Sequence, residues 1–337
     1  MSVASTAVPR ALVIGGTGLV GRAVARRLLA AGWDVDVTGR DATRLPADVG
    51  AAGGRFVAAE RSDGAALNAA FDNHELLVDC ICFTAGDAEL LLPLAREAGS
   101  TVMISSKAVY VDARGNHSNS DARPDYGGPV RETQPTLEPG GGDYRTREGY
   151  GRNKVAAERV LLDSGAPVTV LRPSKIHGDG ASPAREWVFV KRVLDRRPAV
   201  FLAHRGLGVD HPTGAANIAA LVETVAARPG ARILNSADPD APNGLEIART
   251  VARHLGHAWE EVLVDDDSLG RHPWDSVPPV VLDTSAALAL GYTPTGDYAA
   301  TVASELDWLI ERGGSDDDYF APFLDYDAED RYLAARG

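Results

Sequence analysis

Short apolar runs alternate with helical stretches through the first half of the chain. The run at residues 11–14 is wholly apolar and ends in glycines, which suits a buried parallel strand. Further strand-like runs lie at residues 35–38, 55–58, 76–83, 101–105 and 168–172. Apolar residues at helical spacing fill segments 22–31 and 88–98, and a glycine follows each segment as a stop signal. This alternation predicts an α/β fold built on a doubly wound, Rossmann-like parallel sheet.

The second half of the chain is less regular. Helical periodicity recurs at residues 187–194, 215–227, 245–255 and 301–312, with a strand-like run at 232–235. An acidic tail follows, in which Asp316, Asp317 and Asp318 are expected to form a solvated face. We therefore expect a smaller C-terminal lobe that is interleaved with the sheet.

The segment from 111 to 149 is rich in Gly, Pro, Asp, Asn and Arg and has no clear period. A connection of this length in a compact domain is usually either functional or disordered. Because the segment leads directly into Tyr150, we interpret it as a flap over an active site. An insertion without function is the alternative.

Composition and charge exclude several classes of function. The 337 residues carry a formal net charge of −13, which argues against nucleic-acid binding because phosphate contacts need clustered Lys and Arg. No run approaches the ~20 apolar residues of a membrane helix, and the first residues lack a signal-peptide pattern. Cys80 and Cys82 share one apolar run and suit buried thiols rather than a disulfide. We expect a cytoplasmic protein whose partner is a small molecule, with neither nucleic acid nor membrane involved.

A glycine-rich turn joins the first strand to the first helix. It satisfies G-x-G-x-x-G in the strand-to-helix context that gives this motif its weight. Glycine lets backbone N–H groups approach a pyrophosphate, and the following helix presents its positive end to that anion. The predicted dinucleotide contacts here are Gly15, Gly16, Thr17, Gly18, Leu19, Val20 and Gly21. Phe83, at the end of the fourth run, is assigned to the same site.

The end of the second strand distinguishes NAD from NADP. An acidic side chain about 20 residues past the glycine turn would bind the ribose 2′-hydroxyl of NAD, but this place reads Thr38-Gly39-Arg40-Asp41. Gly39 has no carboxylate, whereas Arg40 could pair with a 2′-phosphate and Arg44 could help. Asp41 lies past the strand in what reads as a helix-cap position. The pattern favours NADP over NAD.

Tyr150 and Lys154 form a candidate pair for proton transfer. Four residues apart on a helix, they share one face. A nearby ammonium lowers the pKa of a tyrosine from about 10, so the phenol can transfer a proton near neutral pH. Ser105 and Ser106 end the fifth strand, at the edge where open α/β sheets bind ligands, and a hydroxyl there can hydrogen-bond a substrate carbonyl.

With these motifs in this order, the chain resembles the extended short-chain dehydrogenase/reductase family of NAD(P)-dependent epimerases, dehydratases and reductases. The resemblance covers about residues 10–312. It is carried by segments 15–21, 104–110, 150–154, 171–173 and 177–178, and further family-like segments lie at 282–284 and 290–294. It implies that Tyr150 is the catalytic acid/base, that Lys154 binds the nicotinamide ribose and tunes Tyr150, and that Ser106 is the catalytic hydroxyl. It also implies that Glu60 contacts the adenine, and that two copies pair as a homodimer through the helix that carries Tyr150.

The motifs assign a role to each part of the chain. The predicted dinucleotide-binding domain comprises residues 1–175, to which 208–237 return. The predicted substrate lobe and acidic tail comprise residues 176–207 and 238–337.

Lys175 and His177 lie where the substrate lobe begins and are candidate substrate contacts. An ammonium at position 175 could hold a phosphate or carboxylate of the substrate, and a surface salt bridge is the alternative. His254 and His257 are three residues apart but have no companion cluster. We therefore expect no metal site.

Departures from the family pattern reduce the number of reactions that we expect this chain to catalyse. Family dehydratases carry Asp-Glu directly after the catalytic hydroxyl, where this chain has Lys107-Ala108, and sugar-nucleotide epimerases often place Asn where Lys175 stands. Together with the NADP pattern, these departures favour NADPH-dependent reduction of a carbonyl. The alternatives are a sugar or sugar-nucleotide epimerase that transiently oxidises its substrate, and a non-catalytic dinucleotide-binding regulator.

Overall fold

The computed structural model describes residues 8–314 and 318–336, and a seven-stranded parallel sheet forms its centre. The strands are β1 (Arg10–Ile14), β2 (Asp34–Gly39), β3 (Arg55–Ala58), β4 (Leu76–Asp79), β5 (Ser100–Ile104), β6 (Val168–Pro173), β7 (Lys175–His177), β8 (Ala199–Leu202), β9 (Pro212–Gly214), β10 (Arg232–Ser236) and β11 (Glu260–Leu263). The helices are α1 (Leu19–Ala30), α2 (Ala47–Ala51), α3 (Gly64–Ala70), α4 (Ala85–Glu97), α5 (Arg147–Leu162), α6 (Trp187–Leu194), α7 (Ala215–Ala227), α8 (Gly244–His254), α9 (Ser285–Ala289), α10 (Tyr298–Arg312) and α11 (Tyr326–Arg336).

The central sheet has the strand order β10-β6-β5-β4-β1-β2-β3. In register, Leu12 of β1 lies between Asp36 of β2 and Leu77 of β4. The chain builds outward from β1 to β3 and then crosses to β4 on the other side of β1. This reversal leaves a crevice at the carboxyl ends of β1 and β4, where open α/β sheets bind ligands. The predicted doubly wound α/β fold is confirmed.

Helices cover both faces of the sheet. On one face, Leu28 of α1 and Leu221 of α7 pack in one buried cluster with the sheet. On the other face, Leu91 of α4 and Leu161 of α5 pack in a second cluster. All residues of β4, β5 and β6 are buried between these layers, and apolar residues predominate in each strand, as expected where both faces of a strand are covered.

The smaller lobe has an apolar core of its own. Trp187 and Phe189 of α6, Val251 of α8 and Leu306 of α10 meet there around Trp274. Two short parallel pairs, β8 with β11 and β7 with β9, complete the lobe. Between these pieces the chain returns to the sheet, where β10 pairs with β6, so the lobe is interleaved with the sheet.

The fourth strand is shorter than the apolar run predicted. It ends at Asp79, because the Asp79 carboxylate turns the chain by accepting the backbone N–H of Ile81 at 2.9 Å. Arg61 holds the other oxygen of Asp79 at 2.6 Å. Both cysteines beyond this turn are free thiols: Cys82 is buried, whereas Cys80 is half-buried and the prediction of a buried thiol was wrong for it.

The predicted flap is irregular but anchored. Residues 111–146 contain neither helix nor strand, yet Val130 donates its N–H to the carbonyl of Val281 at 2.8 Å. In the acidic tail, Phe320 packs into the core of the smaller lobe, while Asp316 and Asp317 lie outside the described residues. No helix of the described chain has the length and apolar character needed to span a membrane.

Candidate active site

An open cleft of about 800 Å³ lies at the carboxyl ends of β1, β4 and β5. Its walls come from the glycine turn, the two strand ends beside it, the flap, the start of α5 and the residues that follow β6. The cleft therefore occupies the crevice that the strand order creates.

The glycine turn forms one wall of the cleft. Gly15 has a φ of +76°, in the left-handed region that favours glycine. A Cβ at Gly21 would lie 2.4 Å from the carbonyl oxygen of Gly15, so any side chain there would push α1 away from the turn. Because α1 begins at Leu19 with no side-chain cap, its first N–H groups are available to an anion.

The predicted contacts in this turn divide into two groups. Those that line the cleft are Gly15, Gly18, Leu19, Val20 and Gly21. Gly16 is buried beneath the turn, where a Cβ would lie 2.4 Å from the Cβ of Val37. Thr17 lies beside Gly39, which brings the end of β2 next to the turn.

Two guanidinium groups follow the end of β2. Arg40 and Arg44 are exposed, and neither forms an ion pair within residues 8–314 and 318–336. The Asp41 carboxylate is occupied locally: it accepts from the hydroxyl of Thr43 at 2.6 Å and from its N–H at 2.9 Å, and these bonds lower the pKa of Asp41. Glu60, the predicted adenine contact, is exposed just beyond the end of β3.

The start of α5 places Tyr150 in the cleft and Lys154 behind it. Thr146 caps the helix by accepting a backbone N–H three residues on, at 3.0 Å, and Tyr150 in the first turn lines the cleft. Lys154 is buried, and its Nζ donates to the carbonyl oxygens of Cys82 at 2.8 Å and Ile104 at 2.9 Å. Since an ammonium has three N–H donors, one N–H of Lys154 remains for a ligand.

The two serines after β5 differ in what their hydroxyls can do. Ser105 is buried and donates its hydroxyl to Glu158, which also pairs with Arg172 at 2.5 Å. Ser106 is half-buried and lines the cleft; its Oγ accepts the N–H of Ala108 at 3.1 Å. Because Oγ acts there as an acceptor, the hydroxyl proton of Ser106 is free to reach a ligand.

Phe83 connects the strand end to the flap. Its ring stacks on that of Tyr144, with centroids 4.8 Å apart and planes 11° from parallel. The Nζ of Lys154 lies 4.4 Å from the centroid of Phe83, and the ring of Tyr150 lies 6.5 Å away. Since Tyr144 belongs to the flap, this stack holds the flap over the cleft beside the Tyr–Lys pair.

A cluster of charged side chains forms another wall of the cleft. Lys175 lies 3.1 Å from Oδ2 of Asp210, and Lys107 contacts Oδ1 of the same carboxylate. Arg185 lines the same cleft and donates to the carbonyl of Ile176 at 3.3 Å. Burial and the neighbouring Arg185 lower the pKa of Lys107 to about 7 and that of Lys175 well below its usual range. An anionic group on a ligand would favour the protonated form of both lysines.

The structure does not bring His177 to the cleft, contrary to its prediction as a substrate contact. The imidazole is buried, its Nε2 lies 2.8 Å from Oδ2 of Asp238, and its ring packs on Tyr298 with centroids 5.2 Å apart. Although burial opposes it, the Asp238 carboxylate raises the pKa of His177. The side chain is held away from the cleft by these two contacts.

The cleft residues that were not predicted from the sequence include Tyr144, Lys107 and Asp210. Tyr144 lies in a segment without periodicity, and Asp210 has no motif around it. A local signal existed for Lys107, since it directly follows Ser106.

Comparison with known proteins gives a family and a fold. The sequence profile of the NAD dependent epimerase/dehydratase family matches residues 11–206. No curated protein matches the chain at a significant level. Solved structures of similar fold include UDP-glucose 4-epimerase of Thermus thermophilus in complex with NAD, at 19% identity and a TM-score of 0.64, covering 91% of this chain and 100% of the other.

Two further structures are similar over comparable lengths. The enzyme WbmG of Bordetella bronchiseptica, in complex with NAD and UDP, has 20% identity and a TM-score of 0.67, covering 93% of this chain and 97% of the other. The dTDP-glucose 4,6-dehydratase of Bacillus anthracis, in complex with NAD, has 14% identity and a TM-score of 0.67, covering 90% of this chain and 97% of the other. At these identities the similarity concerns the fold.

Proposed function

The chain belongs to the NAD dependent epimerase/dehydratase family, and from this premise we propose that it reduces a carbonyl compound with NADPH. Membership makes it an NAD(P)-dependent enzyme of the short-chain dehydrogenase/reductase type. The observation that carries the finer proposal is that Tyr150 and Ser106 line the same cleft as the glycine turn. A proton donor and a hydroxyl thus lie beside the place for a dinucleotide.

Residues of the cleft, together with exposed side chains beyond the ends of β2 and β3, would bind a dinucleotide that carries a 2′-phosphate. The backbone N–H groups at the start of α1, kept accessible because Gly21 has no Cβ, would bind the pyrophosphate. Arg40 and Arg44 are exposed and would bind the 2′-phosphate that distinguishes NADP from NAD. Lys154 would hold the nicotinamide ribose with its remaining N–H, and Glu60 would contact the adenine.

The side chains at the cleft supply the proton chemistry of the reduction. When bound, the nicotinamide provides the hydride. Tyr150 donates its phenolic proton to the carbonyl oxygen, and Ser106 orients that oxygen by a hydrogen bond. The ammonium of Lys154, one helical turn from Tyr150, stabilises the phenolate left behind. The stacked rings of Phe83 and Tyr144 shield this region from water.

The substrate carries an anionic group. Lys175 and Arg185 line the cleft together with the Asp210 carboxylate, which pairs with Lys175. A carboxylate or phosphate on the substrate would complete the charge balance and fix the carbonyl relative to Tyr150. The sequence left open whether Lys175 binds the substrate or forms a salt bridge. Lys175 pairs with Asp210, and we propose that it also binds the anionic group of the substrate.

Two measurements test the proposal. Nucleotide released by denaturing the purified protein should be absent or sub-stoichiometric, and the protein should bind NADPH more tightly than NADH in isothermal titration. NADPH should then be oxidised with keto compounds that carry a carboxylate or phosphate, and not with their neutral analogues. Stoichiometric NAD retained through purification would overturn the reductase assignment in favour of an epimerase.

The domain boundaries, a homodimer paired through α5 and a cytoplasmic location stay predictions from the sequence.

A further inference from the structure

Three buried side chains converge inside the smaller lobe, away from the cleft. His177 lies on β7, Glu186 immediately precedes α6, and Glu305 lies on α10. Their exposed fractions are 3%, 1% and 0%, and one potential ligand atom from each lies within 4.8 Å of the other two. An imidazole and two carboxylates that meet in an apolar core need a compensating charge.

The imidazole is oriented by a partner on its outer side. Nε2 of His177 lies 2.8 Å from Oδ2 of Asp238. The other oxygen of Asp238 accepts from the N–H of Gly214 at 2.6 Å and from the side chain of Asn217 at 2.8 Å, and although burial opposes it, these contacts lower the pKa of Asp238. Because Nε2 is the ring nitrogen bound to Asp238, Nδ1 is the nitrogen left for a ligand on the other side of the ring.

Each carboxylate is also held on its outer side. Oε1 of Glu186 accepts the hydroxyl of Tyr298 at 3.1 Å, and Oε2 of Glu305 accepts the N–H of Gly178 at 2.5 Å. The inner oxygens, Oε2 of Glu186 and Oε1 of Glu305, have no hydrogen-bond donor, and neither does Nδ1 of His177. Each of these three buried atoms therefore has a lone pair that no N–H or O–H group contacts.

A proton alone does not satisfy this arrangement. Burial and the neighbouring Glu186 raise the pKa of Glu305 well above its usual range, so one proton could be shared between the two carboxyl groups. That proton would leave Nδ1 of His177 as a buried acceptor without a partner, so a second proton, carried on Nδ1 and donated to one of the inner oxygens, would be needed to satisfy all three atoms. A divalent cation satisfies all three atoms together and balances two carboxylate charges.

We propose that Nδ1 of His177, Oε2 of Glu186 and Oε1 of Glu305 bind one structural divalent transition-metal cation of the Zn²⁺ class. One imidazole nitrogen and two carboxylate oxygens form a ligand set that zinc accepts in proteins, with a fourth position for water. The outer contacts from Asp238, Tyr298 and Gly178 correspond to the supporting hydrogen bonds that orient ligands around bound metals. Ligand atoms around a tetrahedral zinc stand roughly 3.4 Å apart, so side-chain movements on the order of an ångström would close the site.

The site would join elements that no continuous sheet connects. The cation would tie β7, which leads out of the central sheet, to α6 and α10 of the smaller lobe. Glu186 is also the neighbour of Arg185, which lines the cleft. Metal binding would thus stabilise the lobe and hold Arg185 in place. The proposal does not depend on the reductase assignment.

Metal content tests the site directly. Full-length protein is stripped with a chelator, incubated with Zn²⁺, dialysed, and analysed by mass spectrometry of its metals. We expect about one zinc per chain in the wild type and in the control Glu311→Gln, which changes an exposed glutamate on the same helix α10. Glu305→Gln should bind Zn²⁺ roughly 100-fold more weakly or worse, because it loses an anionic ligand. Zn²⁺ should raise the Tm of the stripped wild type and not that of Glu305→Gln.

Co²⁺ in place of Zn²⁺ gives a readout that needs no variant. The stripped wild type with Co²⁺ should develop the visible absorption bands of a low-symmetry cobalt site, and excess Zn²⁺ should remove them. This measurement decides the question if Glu305→Gln does not fold. Absence of cobalt bands together with an unchanged Tm would overturn the proposal and leave a carboxyl pair that shares a proton. Equal zinc binding by wild type and Glu305→Gln would overturn it as well.

Discussion

Tyr144 stacks on Phe83, with ring centroids 4.8 Å apart and planes 11° from parallel. Phe83 follows the end of β4, and Tyr144 lies near the end of the irregular segment 111–146. The stack lies beside Lys154, whose Nζ is 4.4 Å from the centroid of Phe83. One aromatic contact therefore joins the flap to the sheet next to the proposed proton donor.

Loss of this stack should weaken cofactor binding. An aromatic pair contributes about 0.5–1.5 kcal/mol beyond its buried area, so Tyr144→Ala should raise the KM for NADPH by roughly 2–10-fold. Tyr144→Phe keeps the ring and should behave like the wild type in steady-state kinetics. If Tyr144→Phe were as impaired as Tyr144→Ala, the hydroxyl and not the stack would be the important group.

Arg40 should determine the choice between NADPH and NADH. A hydrogen bond to a charged group contributes about 1.5–3 kcal/mol, so Arg40→Ala should raise the KM for NADPH by roughly 10–100-fold and leave that for NADH nearly unchanged. The matched control is Arg96→Ala, which removes an exposed arginine of α4 outside the cleft. Equal effects of Arg40→Ala on the two nucleotides would contradict the 2′-phosphate contact.

Tyr150 should be required for turnover but not for cofactor binding. Removal of a general acid typically lowers the rate by about 10²–10⁴-fold, so Tyr150→Phe should lose kcat to this extent while the Kd for NADPH stays the same. Tyr332→Phe, an exposed tyrosine of α11, is the control. Undiminished kcat in Tyr150→Phe would show that another group supplies the proton.

Lys175 should select substrates by charge. Lys175→Gln removes one positive group from the cluster with Asp210, so the KM for an anionic keto substrate should rise roughly 10–100-fold, with a smaller effect on kcat. Lys191→Gln, at a lysine of α6 that pairs with Asp195, should change neither constant. If a neutral analogue lost as much in Lys175→Gln as the anionic substrate, the lysine would have only a structural role.

Much of the fold and part of the site could be predicted from local patterns. All seven strands of the central sheet, the glycine turn and the helix that begins near Tyr150 follow from apolar periodicity and from residues a few positions apart. Gly21 is an example, since close packing of a helix on the preceding turn requires glycine at that spacing. The Tyr150–Lys154 spacing likewise follows from the pitch of one helix.

Tertiary structure decided which distant residues meet. Tyr144 reaches Phe83, Asp210 reaches Lys107 and Lys175, and His177 turns away from the cleft toward Asp238. Glu305 meets His177 and Glu186 although a long stretch of chain separates it from both. No local period encodes these contacts, because each depends on how the lobe packs on the sheet and on where irregular segments are anchored. The sequence by itself therefore determined the sheet, the turn and the helix that carries Tyr150, whereas packing decided the flap, the charged groups of the cleft and the buried three-residue cluster.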